Sequence, residues 1–266
     1  MTPDDLPSRT FPLLDQPAVL DVAFHPRRQA FGEARADGRT VRVAVADGVA
    51  LGGRLHVAAA GAPLILFFHG NGELAAEYDG IAGFYTERGI TLLTMDYRGY
   101  GLSDGAPTAT NLVADAVAVW RGLPDLLGAH GLRPARTYVM GRSLGSVAAI
   151  EIADRAGGQV AGLIIESGFA DTFGIVRRLG GPELPGAEES RDGFDHPGKM
   201  SRIAAPTLIL HGQADWIIPA HDAEVLHARS AAADKRLVIL PEGDHNNLLF
   251  VARHEYFAAV GDFVSG

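Results

Sequence analysis

The chain has 266 residues, no cysteine and a formal charge of −9, with a pI near 5.5. That charge argues against a nucleic-acid binder, which needs a basic face to neutralise phosphates, and the missing thiols exclude disulfides, thiolate metal sites and cysteine nucleophiles. With 47% hydrophobic residues, the length suits one large α/β domain, and no apolar run approaches the ~20 residues of a stable membrane-inserted span.

The first segment, MTPDDLPSRTFPLLDQPAV, opens on acids and prolines where a signal peptide needs a basic start and an apolar run, so a cytoplasmic location is expected. Pro3, Pro7, Pro12, Pro17 and Pro26 leave residues 1–39 without clear periodicity. This stretch is expected to run extended, as an N-terminal extension packed on a catalytic domain of residues 40–266.

From residue 40 onward, short β-branched runs alternate with longer helical patterns, the order that builds a mostly parallel sheet with helices on both faces. Strands are predicted at residues 39–46, 49–58, 63–68, 90–96, 137–141, 159–166, 206–211 and 236–240. Asp47-Gly48 is a hairpin signal that makes the first two antiparallel. Most of the later runs are continuously apolar, as expected of parallel strands buried on both faces. Apolar residues at three- and four-residue spacing predict helices at 74–88, 110–127, 144–156, 220–230 and 247–264. Between them, residues 167–199 are rich in Gly and Pro, short for a domain and long for a loop, and are expected to form a small lid. Phe169, Phe173, Ile175, Val176 and Leu179 in that lid suit either the wall of an acyl site or the core of a short helix.

Candidate chemistry sits at the strand ends. Gly141-Arg142-Ser143-Leu144-Gly145 is a G-x-S-x-G pentapeptide between a strand and a helix, the context in which a sharp turn lifts a serine hydroxyl above the sheet. The plain alternative is a serine capping that helix. A serine hydroxyl is inert without a base. Two later strands end in loops carrying Asp215 and His245, in the order serine, acid, histidine. His245 is assigned as the base and Asp215 as the acid that fixes its tautomer. Asp244 is expected to point away, and Glu166 is the better substitute acid.

An oxyanion site needs backbone donors. Leu144 follows the nucleophile, and Asn71 lies in the glycine-rich turn Phe68-His69-Gly70-Asn71-Gly72 after a buried strand. Neither the Walker pattern nor G-x-G-x-x-G is present there, and the ten histidines show no metal-ligand spacing, so no cofactor and no metal are expected. His69 and His211 read as structural, each hydrogen-bonding a neighbouring loop.

The segments FFHGNGE, DYRGYGLSDGAPT, GRSLG, HGQADWIIP and GDHNN occur in an order that resembles the α/β-hydrolase superfamily. The resemblance is to its serine aminopeptidase-like and depalmitoylase-like branch, which includes many bacterial esterases. It implies a cofactor-free hydrolase with a small or absent cap, Ser143, Asp215 and His245 as triad, and Asn71 and Leu144 as oxyanion donors. It also implies that the loop of residues 96–103 braces the nucleophile region, with Arg98 in a salt bridge. Depalmitoylases of this branch use a cysteine-rich lipid anchor, and with no cysteine in this sequence that membrane role is not expected.

The expected reaction is cleavage of a carboxylic ester or thioester in a small acyl substrate through an acyl-enzyme. One alternative is an aminopeptidase or amidase in which Glu73 and Glu166 read a substrate ammonium. Another is a non-catalytic small-molecule binding scaffold. Oligomeric state is left open.

Overall fold

The computed structural model describes residues 9–29 and 38–266. Its strands are β1 (Arg39–Ala46), β2 (Val49–His56), β3 (Leu64–Phe68), β4 (Thr91–Met95), β5 (Thr137–Arg142), β6 (Gly162–Glu166), β7 (Thr207–Gly212) and β8 (Lys235–Leu240). They form one eight-stranded sheet in the order β1-β2-β4-β3-β5-β6-β7-β8. The hairpin at Gly48, which takes a positive φ of 70°, makes β1 and β2 antiparallel. β2 also runs antiparallel to β4, and β3 through β8 pair in parallel. The expected α/β-hydrolase architecture is therefore the observed one, with strand ends shifted by a few residues.

Period-two alternation divides the core between the two faces of the sheet. Leu64, Leu66 and Phe68 of β3 pack on one side with α3 (Ala109–Ala129), α4 (Gly145–Ala156) and α8 (Ala220–Arg229). Ile65 and Phe67 face the other side, against α2 (Ala82–Thr86) and α10 (Arg253–Ser265). Both faces are covered, which is why β3, β4 and β6 are buried at every position. The strand order reverses about β3: the chain leaves it to reach β4 on one side and later β5 on the other. A crevice opens at the carboxyl ends of strands where such a reversal occurs.

Three expectations change. Residues 74–88 do not form one helix; a 3-10 turn over Ala75–Gly80 precedes α2, consistent with the glycines at 80 and 83 weakening a continuous helix. The predicted helix at 247–264 is α9 (Leu248–Val251) followed by α10, with a break at Ala252 where φ is −134° and ψ 32°. The N-terminal stretch is not extended throughout. It contains α1 (Pro17–Ala23), started by Pro17, whose ring fixes the φ a first helical residue needs. Pro3 and Pro7 lie outside the described residues.

The segment 167–199 holds α5 (Thr172–Arg178), α6 (Glu189–Asp192) and the start of α7 (His196–Met200). Glu189 ties it together: its carboxylate accepts from the Thr172 hydroxyl at 2.6 Å, from the Thr172 amide at 2.9 Å and from the Asp195 amide at 3.0 Å. No helix among the described residues is long and apolar enough to cross a membrane.

Candidate active site

Ser143 sits between β5 and α4 with φ 52°, a left-handed conformation that costs a non-glycine residue roughly 1–2 kcal/mol. The tight turn is possible because the residues two before and two after Ser143 are glycines. A Cβ at Gly141 would overlap the Gly145 carbonyl, and one at Gly145 would overlap the Phe68 carbonyl of β3. The Ser143 amide donates to the Glu166 carbonyl at 2.8 Å, which joins the turn to the end of β6. The hydroxyl does not cap α4, whose N-cap is Leu144 without a side-chain bond. It lies instead 3.0 Å from His245 Nε2.

His245 Nδ1 donates to Asp215 Oδ2 at 2.7 Å. Three side chains from loops after β5, β7 and β8 thus form one line of hydrogen bonds. The other Asp215 oxygen accepts from the backbone amides of Ile217 at 3.0 Å and Ile218 at 2.8 Å. Burial pushes the Asp215 carboxyl up, but hydrogen bonds from His211 and His245, the charge of His245 and the Ile218 amide outweigh it and hold the pKa well below the carboxylate range. His211 Nε2 also donates to the Ile218 carbonyl at 2.8 Å, stiffening the same loop. Asp244 points away as expected, its Oδ1 taken by the amides of Asn246 and Asn247. Glu166 is bonded to Arg142 and Tyr256 rather than to the imidazole.

Arg142 is the residue whose importance the sequence reading passed over. Largely buried beside Ser143, it donates to Glu73 and, at 3.2 Å, to Glu166. It also donates to the His245 carbonyl at 2.6 Å and to Asn246 Oδ1 at 3.1 Å. Glu73 in turn accepts from the Gly70 amide at 2.8 Å and from the Tyr78 hydroxyl at 2.7 Å. One guanidinium therefore connects the turn after β3, the serine and the histidine loop. Burial raises the Glu73 carboxyl, yet Arg142 and His69 bring it below its ordinary value, whereas burial keeps Glu166 above its own despite Arg142 and Tyr256. Arg142→Met leaves two carboxyl groups without their cation. It is expected to destabilise the fold by about 3–5 kcal/mol, read as a lower urea midpoint, and adding Glu166→Gln should recover part of that loss.

Asn71 and Leu144 face the same crevice as Ser143. Among the described residues, neither backbone amide has a hydrogen-bond acceptor, leaving both free for a ligand oxygen. The Asn71 side chain is anchored: its Oδ1 accepts from Tyr100 Oη at 2.7 Å and from the His25 amide at 2.9 Å. The loop of residues 96–103 hence braces the turn carrying Asn71, not the turn at Ser143 itself. Arg98 forms its expected salt bridge, bidentate to Asp115 at 2.7 Å. His69 bonds the Gly70 carbonyl at 2.8 Å and Asp96 at 3.2 Å, a structural role like that of His211. Among the described residues no group of three or more His, Asp or Glu side chains is arranged to hold a metal ion.

An apolar cavity of about 340 Å³ opens beside Ser143 and His245. Of the five residues singled out in the segment 167–199, Phe169, Ile175, Val176 and Leu179 line it, while Phe173 packs against the main core.

Residues 61–173 match the family model described as Serine aminopeptidase, S33. The chain is 34% identical over 222 residues to the uncharacterized protein Rv2307c of Mycobacterium tuberculosis, covering 79% of this chain and 73% of that protein. It is 28% identical over 207 residues to alpha/beta hydrolase domain-containing protein 17B of Homo sapiens, covering 76% and 66%. In fold it is similar to the Pyrococcus furiosus esterase Pf2001, with a TM-score of 0.72 at 19% identity over 91% of this chain and 98% of that one.

Proposed function

Since the chain belongs to the α/β-hydrolase family, we propose that it is a serine hydrolase cleaving a carboxylic ester, or the related thioester, through an acyl-enzyme. The observation that carries this reading is the unbroken line Ser143 Oγ, His245 Nε2, His245 Nδ1, Asp215 Oδ2, with links of 3.0 and 2.7 Å.

Ser143 Oγ attacks the carbonyl carbon as His245 Nε2 takes its proton, and Asp215 stabilises the imidazolium. The carbonyl oxygen, now an oxyanion, accepts from the amides of Asn71 and Leu144. Collapse breaks the bond to the alcohol, which leaves with the proton from Nε2. A water then gives its proton to His245 and attacks the acyl carbon, and the acid departs as Ser143 recovers its hydrogen.

The aminopeptidase alternative needs a free carboxylate to read an ammonium. Glu73 and Glu166 are each bonded to Arg142, which favours the ester. A scaffold that only binds has no use for an imidazole aligned between a serine and a carboxylate.

A fluorophosphonate probe tests the reading. One adduct on the Ser143 peptide is expected by mass spectrometry, together with turnover of p-nitrophenyl esters and little turnover of aminoacyl-p-nitroanilides. An unlabelled protein, or an adduct at another residue, removes the assignment.

A further inference from the structure

We propose, on the reading that Ser143 is an acyl-transfer nucleophile, that α1 is the wall that selects the acyl chain and that the cavity beneath it takes a linear, medium-chain fatty acyl group. The N-terminal segment supplies Leu14, Val19, Ala23 and Phe24 to the lining, opposite Ile175 and Val176 of α5. The polar lining residues apart from Thr172 and Arg142 belong to the reacting end: Asn71 with His25 bonded to it, Ser143, and His245 with its neighbour Asn246. Arg142 also borders the cavity, but its guanidinium is engaged by Glu73, Glu166 and the His245 carbonyl. Thr172, the polar residue of α5 in the lining, gives its hydroxyl hydrogen to Glu189. A charged or hydrogen-bonding tail would find no partner among these groups, whereas an alkyl chain would lose only its water.

The wall is built into the domain. Before α1, the Phe11 amide donates to Thr110 Oγ1 at 2.9 Å, and Thr110 donates to Asp15 at 2.5 Å. After it, the His25 amide reaches both Tyr100 Oη at 2.8 Å and Asn71 Oδ1 at 2.9 Å. The same short segment thus closes the acyl site and steadies the turn that carries an oxyanion donor. A separate cleft of about 240 Å³ shares Arg142, His245 and Asn246 with this cavity but is lined by Glu73, Glu77 and Glu166 and does not reach Ser143, Asn71 or Leu144. The acyl part is therefore assigned to the cavity under α1, which borders all three.

Volume sets the chain length. A methylene is comparable in size to water, whose share of the liquid is ~30 Å³, so about 340 Å³ holds roughly eleven such groups when full, or about eight to ten carbons once the mouth is left to solvent.

The test is the length profile of p-nitrophenyl esters from acetate to palmitate. In the wild type, kcat/KM is expected to rise by about fourfold per added methylene, peak at octanoate to decanoate and fall at palmitate. Ala23→Phe places a ring in the cavity from α1, and Ile175→Phe does so from α5, so that one variant serves if the other fails to fold. Each should lower the ratio of decanoate to butyrate kcat/KM by at least about tenfold. Free decanoate should raise the Tm of Ser143→Ala but not of Ser143→Ala with Ala23→Phe, a readout independent of turnover. If both ring variants leave the length profile in place, or if they change the dependence on alcohol length instead, the assignment falls while ester hydrolysis stands. If the wild type hydrolyses no ester at any length, the serine-hydrolase reading falls and the assignment falls with it.

Discussion

Replacing Ser143 with alanine is expected to lower kcat for an ester by about a million-fold. The substitution deletes the one oxygen that stands 3.0 Å from His245 Nε2. What should survive is the contribution of binding and of the two amides proposed as oxyanion donors, which form no covalent intermediate. Stability should barely change, because alanine inherits the same left-handed backbone. Ser143→Gly separates the two properties. It is equally inactive, yet it relieves the turn and should raise stability by about 1 kcal/mol, visible as a higher urea midpoint. An inactive protein that gains stability on losing its serine is one whose backbone strain serves the reaction. If Ser143→Gly is instead destabilised, the strain lies elsewhere.

The sequence showed the sheet and the three aligned side chains because both follow from local rules. Buried parallel strands read as apolar runs, and a polar residue just past such a run must emerge at the sheet's carboxyl edge, which is where Ser143, Asp215 and His245 are found. Arg142 was passed over because the pentapeptide treats its second position as filler. The signal was an arginine at the end of a strand otherwise buried, since such a charge requires partners. Those partners, Glu73 and Glu166, come from positions 69 residues before it and 24 after, and no local pattern reports that distance. The N-terminal helix had a readable start in Pro17 followed by AVLDVA, but the surrounding prolines made the stretch look extended. Its value to the site was illegible, because only the fold brings Ala23 over Ser143's cavity and His25 against Asn71. The breaks at Ala252 and before α2 also escaped, since the apolar periodicity runs straight through them.

Asp215→Asn is expected to lower kcat by about ten-thousand-fold with little change in geometry. Oδ1 of Asp215 accepts two backbone amides, Ile217 and Ile218, so an asparagine must keep its oxygen there and turn its NH2 toward His245. Two donors then face each other across the 2.7 Å contact. The imidazole escapes by moving its hydrogen to Nε2, which makes it a donor toward Ser143 and no longer a base. The pH dependence of folding supplies an independent check. The carboxyl's pKa is below its ordinary value in the folded protein, so between the two values the unfolded chain binds more protons than the native one. Its stabilisation is therefore present at neutral pH and is lost as the pH falls past about 4 toward the lowered folded value. Asparagine has no proton to lose. The wild type should exceed Asp215→Asn in urea midpoint at pH 7, and that gap should narrow in acid. A gap that stays constant with pH would mean that Asp215 is not ionised in the fold, and the tautomer argument would lose its premise.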